Sequence, residues 1–453
     1  MHRAFQSLAK TYSVALLVLP MLCTPASATN LLSSWQAART HDARFAAAEQ
    51  ARNAGLENAN LGAAAMLPQI ALNGNAGQTA STSDSVQANP AAPPTRMRGP
   101  QYEVGVTLIQ PLYDAAATVG RDQLKLQARQ AAVQYRAEEQ DLILRVAKAY
   151  CDTVLAQENL KLVAAQKEAV GQQLAQAKKM LEVGSSSITD ANEAQARFDA
   201  IIAIEIAARN DLATKSDVYK TLTDLDPAQL APVSEEHAAT ILQPASLGAW
   251  MLLAQESNLA LQAQQLGLDH ARQDIDRYRL ESAPAVSLVA SYGRKWDGSI
   301  AAAGAPERKA SGAIGLQLSI PLYTGGGRSA QLRQAVAVRE QQRHTLEAVR
   351  RDAVQGTRQF FLAVESGTAR IKALEQAQVS SASWLASIKR GREVGAKTTV
   401  DVIDAEQNVY QARYNLVEAR YQFLLNRLQL AAAVGKLNEA ELANVNGWLA
   451  ARE

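Results

Sequence analysis

The chain has 453 residues, with 46 Lys+Arg against 44 Asp+Glu and a formal net charge of +2. That near balance argues against a nucleic-acid-binding surface. Hydrophobic residues make up 47% of the chain but aromatics only 5%, a mixture that suits long, closely packed helices better than a thick globular core.

Residues 1–28 read as a secretory signal peptide. Arg3 and Lys10 form a basic start, Ser13–Leu22 an apolar core, and Ala26-Ser27-Ala28 a small-residue cleavage site. The apolar run is shorter than the ~20 residues that a membrane-spanning helix needs. Leu22 before Cys23 is the wrong residue for lipoprotein processing. Cleavage leaves Cys151 alone, which excludes an intramolecular disulfide. No later stretch reaches helix-span length, so an exported chain of this kind is either soluble outside the cytoplasm or crosses a membrane as strands.

An Ala-rich helical pattern runs from Leu31 to about Met66 and stops at Pro68. Two alternating segments follow, at about 69–77 and about 102–110, separated by a Ser/Thr/Pro/Ala loop. In the second, Tyr102, Val104, Val106 and Leu108 share one side, against Glu103, Gly105, Thr107 and Ile109. Pro111-Leu112-Tyr113 turns the chain into a helix of roughly 68 residues, about 100 Å long. That helix closes at Val183-Gly184, and the Ser/Thr cluster after it starts a returning helix that runs to Asp226.

After a linker the whole pattern repeats. A helix covers Leu247–Glu281, and alternating segments occupy about 285–292 and about 313–320, joined by a polar loop with Trp296, Asp297 and Gly298. Pro321-Leu322-Tyr323 copies Pro111-Leu112-Tyr113, and Gly325-Gly326-Gly327 leads into a helix of roughly 65 residues. It closes at Val394-Gly395, and a last helix runs to about Val434, ended by Gly435. The chain therefore divides into a first repeat, 29–245, a second repeat, 246–437, and a C-terminal tail, 438–453. The duplicated unit is roughly 210 residues long.

The long helices carry coiled-coil stripes. Val400, Ile403, Gln407, Tyr410, Tyr414, Val417, Tyr421, Leu424 and Leu428 are spaced three and four apart, with one polar interruption at Gln407. Leu160, Val163, Val170, Leu174, Ala177 and Leu181 do the same, interrupted by Lys167. Each long helix is matched by two half-length ones that fit end to end beside it, giving a rod about 100 Å long with strands at one end and hairpin tips at the other. The four alternating segments suit tilted membrane strands, but a closed barrel needs at least about eight. Strands in a membrane therefore imply an oligomer with one shared barrel. No nucleophile elbow, phosphate loop or His-rich metal spacing appears, and Gly325-Gly326-Gly327-Arg328 lacks the Lys-Ser/Thr of a P-loop. An enzyme is not expected, nor a cofactor or a metal.

In this order the two tips, the strand ends Gln110-Pro111-Leu112-Tyr113 and Ile320-Pro321-Leu322-Tyr323, and the last helix with Ala419-Arg420-Tyr421 and Leu425-Asn426-Arg427-Leu428-Gln429-Leu430 resemble the TolC family of trimeric outer-membrane exit ducts. The resemblance implies a mainly α fold with a membrane β-barrel: a homotrimer with twelve strands in one barrel in outer-membrane lipid, continued by an α-helical tunnel through the periplasm. It also implies a periplasmic adaptor protein and an inner-membrane pump, ABC-type or proton-driven. Carried over by position, Asp401 and Asp404 match the family's acidic rings at the tunnel entrance. Thr189, Asp190 and Lys397 match residues that hold it closed, and Val183, Gly184, Val394 and Gly395 form the tip turns. Where the family pattern has a Tyr two residues before the second Val-Gly, this chain has Arg392, and an ion pair with Asp190 would replace the family's Tyr–Asp hydrogen bond. The expected function is a passive exit duct for type I secretion or multidrug efflux, gated at its periplasmic tip. The alternative is a periplasmic coiled-coil adaptor or structural protein without a channel.

Overall fold

Asp42 and Asn258 lie inside the two helical runs, Leu31 to about Met66 and Leu247–Glu281, that read as continuous in sequence. In the computed structural model, which describes residues 29–83, 95–234, 243–298 and 307–449, each of them breaks a helix. The signal-peptide segment lies outside the described residues. Helix α1 (Leu31–His41) stops where Asp42 turns extended, and its carboxylate accepts the Phe45 N–H at 3.1 Å to open α2 (Ala43–Ala64). Arg145 donates to the same Oδ2 at 2.7 Å, fixing the break against the long helix beside it. The four strands are β1 (Gln69–Ser83), β2 (Thr95–Tyr113), β3 (Ala285–Asp297) and β4 (Glu307–Ser319). Between β2 and β3 lie α3 (Ala115–Glu182), α4 (Ile188–Thr223), α5 (Leu247–Ser257) and α6 (Leu259–Leu280). Asn258 repeats the role of Asp42, capping α6 through the Leu261 N–H at 3.0 Å and donating to the Ala433 carbonyl at 2.8 Å. Short polar side chains that bond nearby backbone compete with helix continuation, and a hydrophobic pattern does not register them.

Helices α7 (Gly327–Glu393), α8 (Thr399–Ala433) and α9 (Glu439–Asn446) complete the chain. The long α3 and α7 have 68 and 67 residues. Each runs the full length of the body, about 100 Å. Beside the sheet the packing order is α2, α3, α6, α7; toward the tips it is α4, α3, α8, α7. Half-length helices thus flank the two long ones in both halves.

The sheet is antiparallel in the order β1-β2-β3-β4, with β1 and β4 paired on one side only. Its strands have 15, 19, 13 and 13 residues and extend past the alternating segments. Much of the extra length is Thr, Ser, Gly and charged residues whose backbone still pairs, as Ser83 does with Thr95. Trp296 and Asp297 therefore end a strand instead of lying in a loop. Tyr113 also belongs to β2, after a register irregularity at Pro111, whose missing N–H is tolerated at such a site.

The waist of the body holds the largest core, built on Trp35, Leu142, Tyr150, Tyr219, Leu424 and Leu428. A strap after α4 crosses it. Leu230 bridges to Thr29, Val233 bridges to Leu449, and the Tyr150 hydroxyl donates to the Ala231 carbonyl at 2.6 Å. Helix α9, inside the stretch read only as a tail, buries Leu442 and Val445 against this core.

Along α8 a second buried seam lies beside the sequence stripe. Of the stripe, Ile403, Tyr421, Leu424 and Leu428 are buried, while Tyr410 and Tyr414 are half-buried and Gln407 is exposed. Val402, Ala405, Val409, Ala412, Leu416, Ala419 and Phe423 form the second row, also with three-four spacing. Alternating Ala with larger side chains lets α7 and α8 approach closely, and small residues are easily missed when a stripe is read from bulk alone. On α3 the sequence stripe holds, and Lys167, its interruption, pairs with Glu205 of α4 at 2.6 Å.

Gly435 ends α8 with φ +69°, and a Cβ there would lie 2.0 Å from the Ser257 carbonyl oxygen at the α5–α6 break. Gly435→Ala combines a left-handed backbone with a backbone clash, so it should destabilise by more than ~1 kcal/mol. The expected outcome is a lower thermal unfolding midpoint; an unchanged midpoint would mean that the waist yields freely there.

Candidate functional site at the hairpin tips

Both tips are built from the same local chemistry. The end of α3 is closed by Ser185 N–H to Met180 O (2.8 Å) and Gly184 N–H to Leu181 O (3.0 Å); the end of α7 by Ala396 N–H to Gly391 O (2.8 Å) and Gly395 N–H to Arg392 O (3.0 Å). This double closure needs a left-handed residue, and Gly184 and Gly395 supply it at φ 72° and 76°. Each returning helix then opens with a reciprocal cap. The Ser187 hydroxyl accepts the Asp190 N–H at 3.2 Å while Asp190 accepts the Ser187 N–H at 3.2 Å. Thr398 and Asp401 repeat the pair at 3.2 and 2.8 Å. Asp190 and Asp401 thus occupy the same position of the repeat.

Hydrogen bonds to the ionised form hold both carboxyls below the usual aspartate range. For Asp190 the donors are the Ser186 hydroxyl and the Ser187 N–H; for Asp401 they are the Thr398 N–H and hydroxyl. Asp401 therefore has a structural role that the sequence reading did not give it. Its other neighbour is Lys397, with Nζ 3.9 Å away.

Asp404 turns elsewhere. Although three residues from Asp401, it reaches across to α4, where Arg197 Nη1 lies 2.5 Å from its Oδ1. The same guanidinium reaches Glu193 at 3.1 Å. Glu193 follows Asp190 by three residues as Asp404 follows Asp401, so equivalent carboxylates of the two hairpins share one arginine. Thr189 is exposed, and Arg392 is half-buried without an ion pair or side-chain hydrogen bond among the described residues. Within one chain the structure does not bring Arg392 onto Asp190. Val183, Ile188 and Val394 are 77%, 66% and 79% exposed, leaving an apolar rim at the extremity.

A further carboxylate, absent from the sequence reading, joins three helices just above the tips. Glu406 of α8 is 8% exposed; it accepts from Gln173 of α3 at 2.6 Å and pairs with Lys389 of α7 at 2.8 Å. A buried carboxylate needs such partners, because an unpaired one is costly. The signal was available. Once Ala405 is placed on the seam, Glu406 falls on its flank, where interhelical ion pairs form.

Comparisons with known proteins extend over nearly the whole chain. The family model described as outer membrane efflux protein matches residues 35–218 and 250–436, one stretch in each repeat. The outer membrane protein TolC of Vibrio cholerae is 34% identical over 425 residues, covering 93% of this chain and 94% of that protein. The alkaline protease secretion protein AprF of Pseudomonas aeruginosa is 31% identical over 425 residues, covering 93% of this chain and 88% of that one. The crystal structure of the Campylobacter jejuni CmeC outer membrane channel superposes with a TM-score of 0.75 over 99% of this chain and 98% of that one; at 15% identity it shows the shared fold.

The lowered Asp401 carboxyl sets a pH dependence for the second tip. Its cap is fully present above the ordinary aspartate value and is lost only as pH falls through the lower folded value. Amide exchange over the first turn of α8, corrected for intrinsic rates, should stay slow at pH 5 and quicken at more acidic pH. Asp401→Asn should abolish that pH dependence at this tip and leave it at Asp190.

Proposed function

This chain belongs to the outer membrane efflux protein family, the TolC-like channels, and we propose that it works as three copies around one shared passage. It is an exit duct of the outer membrane with a periplasmic extension, a passive channel and not an enzyme. The observation that carries the assembly is the sheet. It has two edges without partners in the chain and one apolar face, on which Leu72, Ile314 and Leu316 are more than 70% exposed. Unpaired backbone groups do not persist in hydrocarbon. Copies that pair β4 of one with β1 of the next close the barrel. Eight strands are about the minimum for closure, and the family resemblance selects three copies and twelve strands over two copies. The helices then line a tunnel that ends at the tips.

The partners follow from the same reading: a periplasmic adaptor seated on the helical body and an inner-membrane pump that drives transport. One relative is named for protease secretion and the family for efflux, so exported proteins and small molecules both suit the duct.

At the entrance, three copies of Asp401 and Asp404 form two acidic rings, and such rings select cations. Arg197 moderates the second ring, since it neutralises Asp404 within each chain. Thr189, Asp190, Arg392 and Lys397 hold the entrance closed by links between neighbouring helices; the unpaired Arg392 is available to Asp190 of an adjacent copy. Exposed pairs of this kind contribute ~0–1 kcal/mol each, but three symmetric copies bias one equilibrium together.

Native mass measurement in mild detergent should give a trimer; a folded, monodisperse monomer would overturn the barrel. Reversal potentials in a salt gradient should show cation selectivity, with block by trivalent cations from the tip side. Asp401→Ala with Asp404→Ala should remove both properties, and Arg197→Ala should raise selectivity above wild type. A double variant as selective as wild type would place these carboxylates outside the conduction path.

A further inference from the structure

The strand register sorts the sheet residues onto two faces. One carries Ile70, Leu72, Val106, Leu108, Tyr292 and Ile314, and no carboxylate occupies any register position on it. Among the residues whose side chains are described, the charged positions on this face are Arg98, Arg294 and Arg308, all at the end of the sheet away from the helices. The carboxylates Glu103 and Asp297 lie on the opposite face with Lys295, whose Nζ is 3.9 Å from Asp297. Arg98, Arg294 and Arg308 are exposed and have no ion pair or side-chain hydrogen bond among the described residues.

Two of these arginines form a compact group with aromatic rings. Tyr102, Trp296 and Arg308 stand in one row across β2, β3 and β4. Arg294 sits one step back on β3, opposite Val104 and Ala310. Diagonal neighbours in such a sheet are ~7–8 Å apart, within joint reach of one tetrahedral oxyanion. From Val286 to Trp296 the strand climbs ~33 Å, or ~25 Å at barrel tilt, which is the height of the apolar band. The row therefore lies where acyl chains give way to headgroups, the depth at which Trp and Tyr settle and Arg snorkels.

Given the proposed membrane orientation, on which this inference rests, we propose that Arg294 and Arg308, flanked by Tyr102 and Trp296, bind the phosphorylated headgroup of a lipid in the outer leaflet. Guanidinium groups recognise phosphate by paired, charge-assisted hydrogen bonds. A lipid is the occupant, not free phosphate, because the rows beneath offer its acyl chains a continuous apolar track: Val104 and Ala310, then Val106 and Tyr292, then Leu108, Ala290 and Ile314. Arg98, opposite Ala80 and nearer the loops, extends the cationic field to a second phosphate or a neighbouring headgroup.

Native mass spectrometry of the intact protein in mild detergent tests this with a bis-phosphorylated glucosamine lipid, the same lipid without phosphates, and inorganic phosphate. Wild type should bind the phosphorylated lipid about tenfold or more tightly than the dephosphorylated one. Arg294→Gln with Arg308→Gln should erase that preference, and Lys309→Gln on the opposite face should keep it. Equal binding of both lipids by wild type would overturn the proposal even if the double variant fails to fold. So would displacement of the lipid by millimolar phosphate, which would make this a free-anion site. A protein that retains no lipid and partitions into the aqueous phase would overturn the membrane reading itself, whereas binding without phosphate dependence removes this inference alone.

Discussion

Backbone hydrogen bonding at the sheet edges is the constraint on which the rest of the molecule depends. Strands β2 and β3 are paired on both sides, while β1 and β4 each present an open edge. Four strands are too few to curl into a closed barrel, which is why the proposed assembly satisfies these edges with other copies. The helices obey the same geometry. All four strands meet helices at one end of the sheet, and α2, α3, α6 and α7 pack in the order of the strands they join. The helical wall is the sheet continued by other means, and where α2 and α6 end, α4 and α8 take their places beside the two long helices.

That design leaves a problem at the waist. Helix α4 ends at Thr223, and the chain must reach α5 without disturbing the wall. Asp224 turns it with a left-handed backbone, and the strap to Ser234 then runs across the core, tied to Thr29 at one end and to Trp448 and Leu449 at the other. A chain passing over a core buries backbone carbonyls and N–H groups alike, and each needs a partner. Tyr150 answers part of this need from α3, and Tyr421 answers another from α8, accepting the Val233 N–H at 3.1 Å. The segment after α9 pairs with the strap through Trp448 and Leu449, with the Trp448 ring stacked on Phe423 and beneath the Arg427 guanidinium.

The duplication, the long helices and the two tips were legible because they rest on local rules: Gly at a helix end, Ser or Thr before an acidic residue, alternation with period two. The Asp42 and Asn258 breaks were not, because one polar residue hardly alters a helical pattern, and its effect depends on Arg145 and the Ala433 carbonyl, distant in sequence. Strand length was underestimated for a related reason. Alternation marks the band with an apolar face, whereas backbone pairing continues into polar residues such as Thr79 to Ser83. At the tips, Asp401 and Asp404 were visible as acidic residues, but their separate partners were not. Whether a carboxylate folds back on its own cap or crosses to Arg197 is decided by tertiary packing.

The seams near the tips differ in kind, and the difference has a physical consequence. Inside each hairpin the seam has an apolar centre, Leu174, Ala177 and Ala194 in one and Ile388, Val402 and Ala405 in the other, edged by the ion pairs Lys167–Glu205 and Lys389–Glu406. Between the hairpins it is polar, made by Gln173 with Glu406 and by Arg197 with Asp404, beside a groove lined by Gln172, Gln176 and Arg392. Separating an apolar seam exposes surface that water does not compensate. Separating a polar one exchanges protein partners for water, at a net ~0.5–1.5 kcal/mol for each neutral hydrogen bond and about twice that for a charged one. Gln173 Oε1 has no hydrogen-bond partner among the described residues, so this seam is less fully satisfied than the hairpin interiors. The two hairpins are therefore durable units joined by a weaker seam, and a displacement at the tips will divide the structure between α3 and α8 before it opens either hairpin.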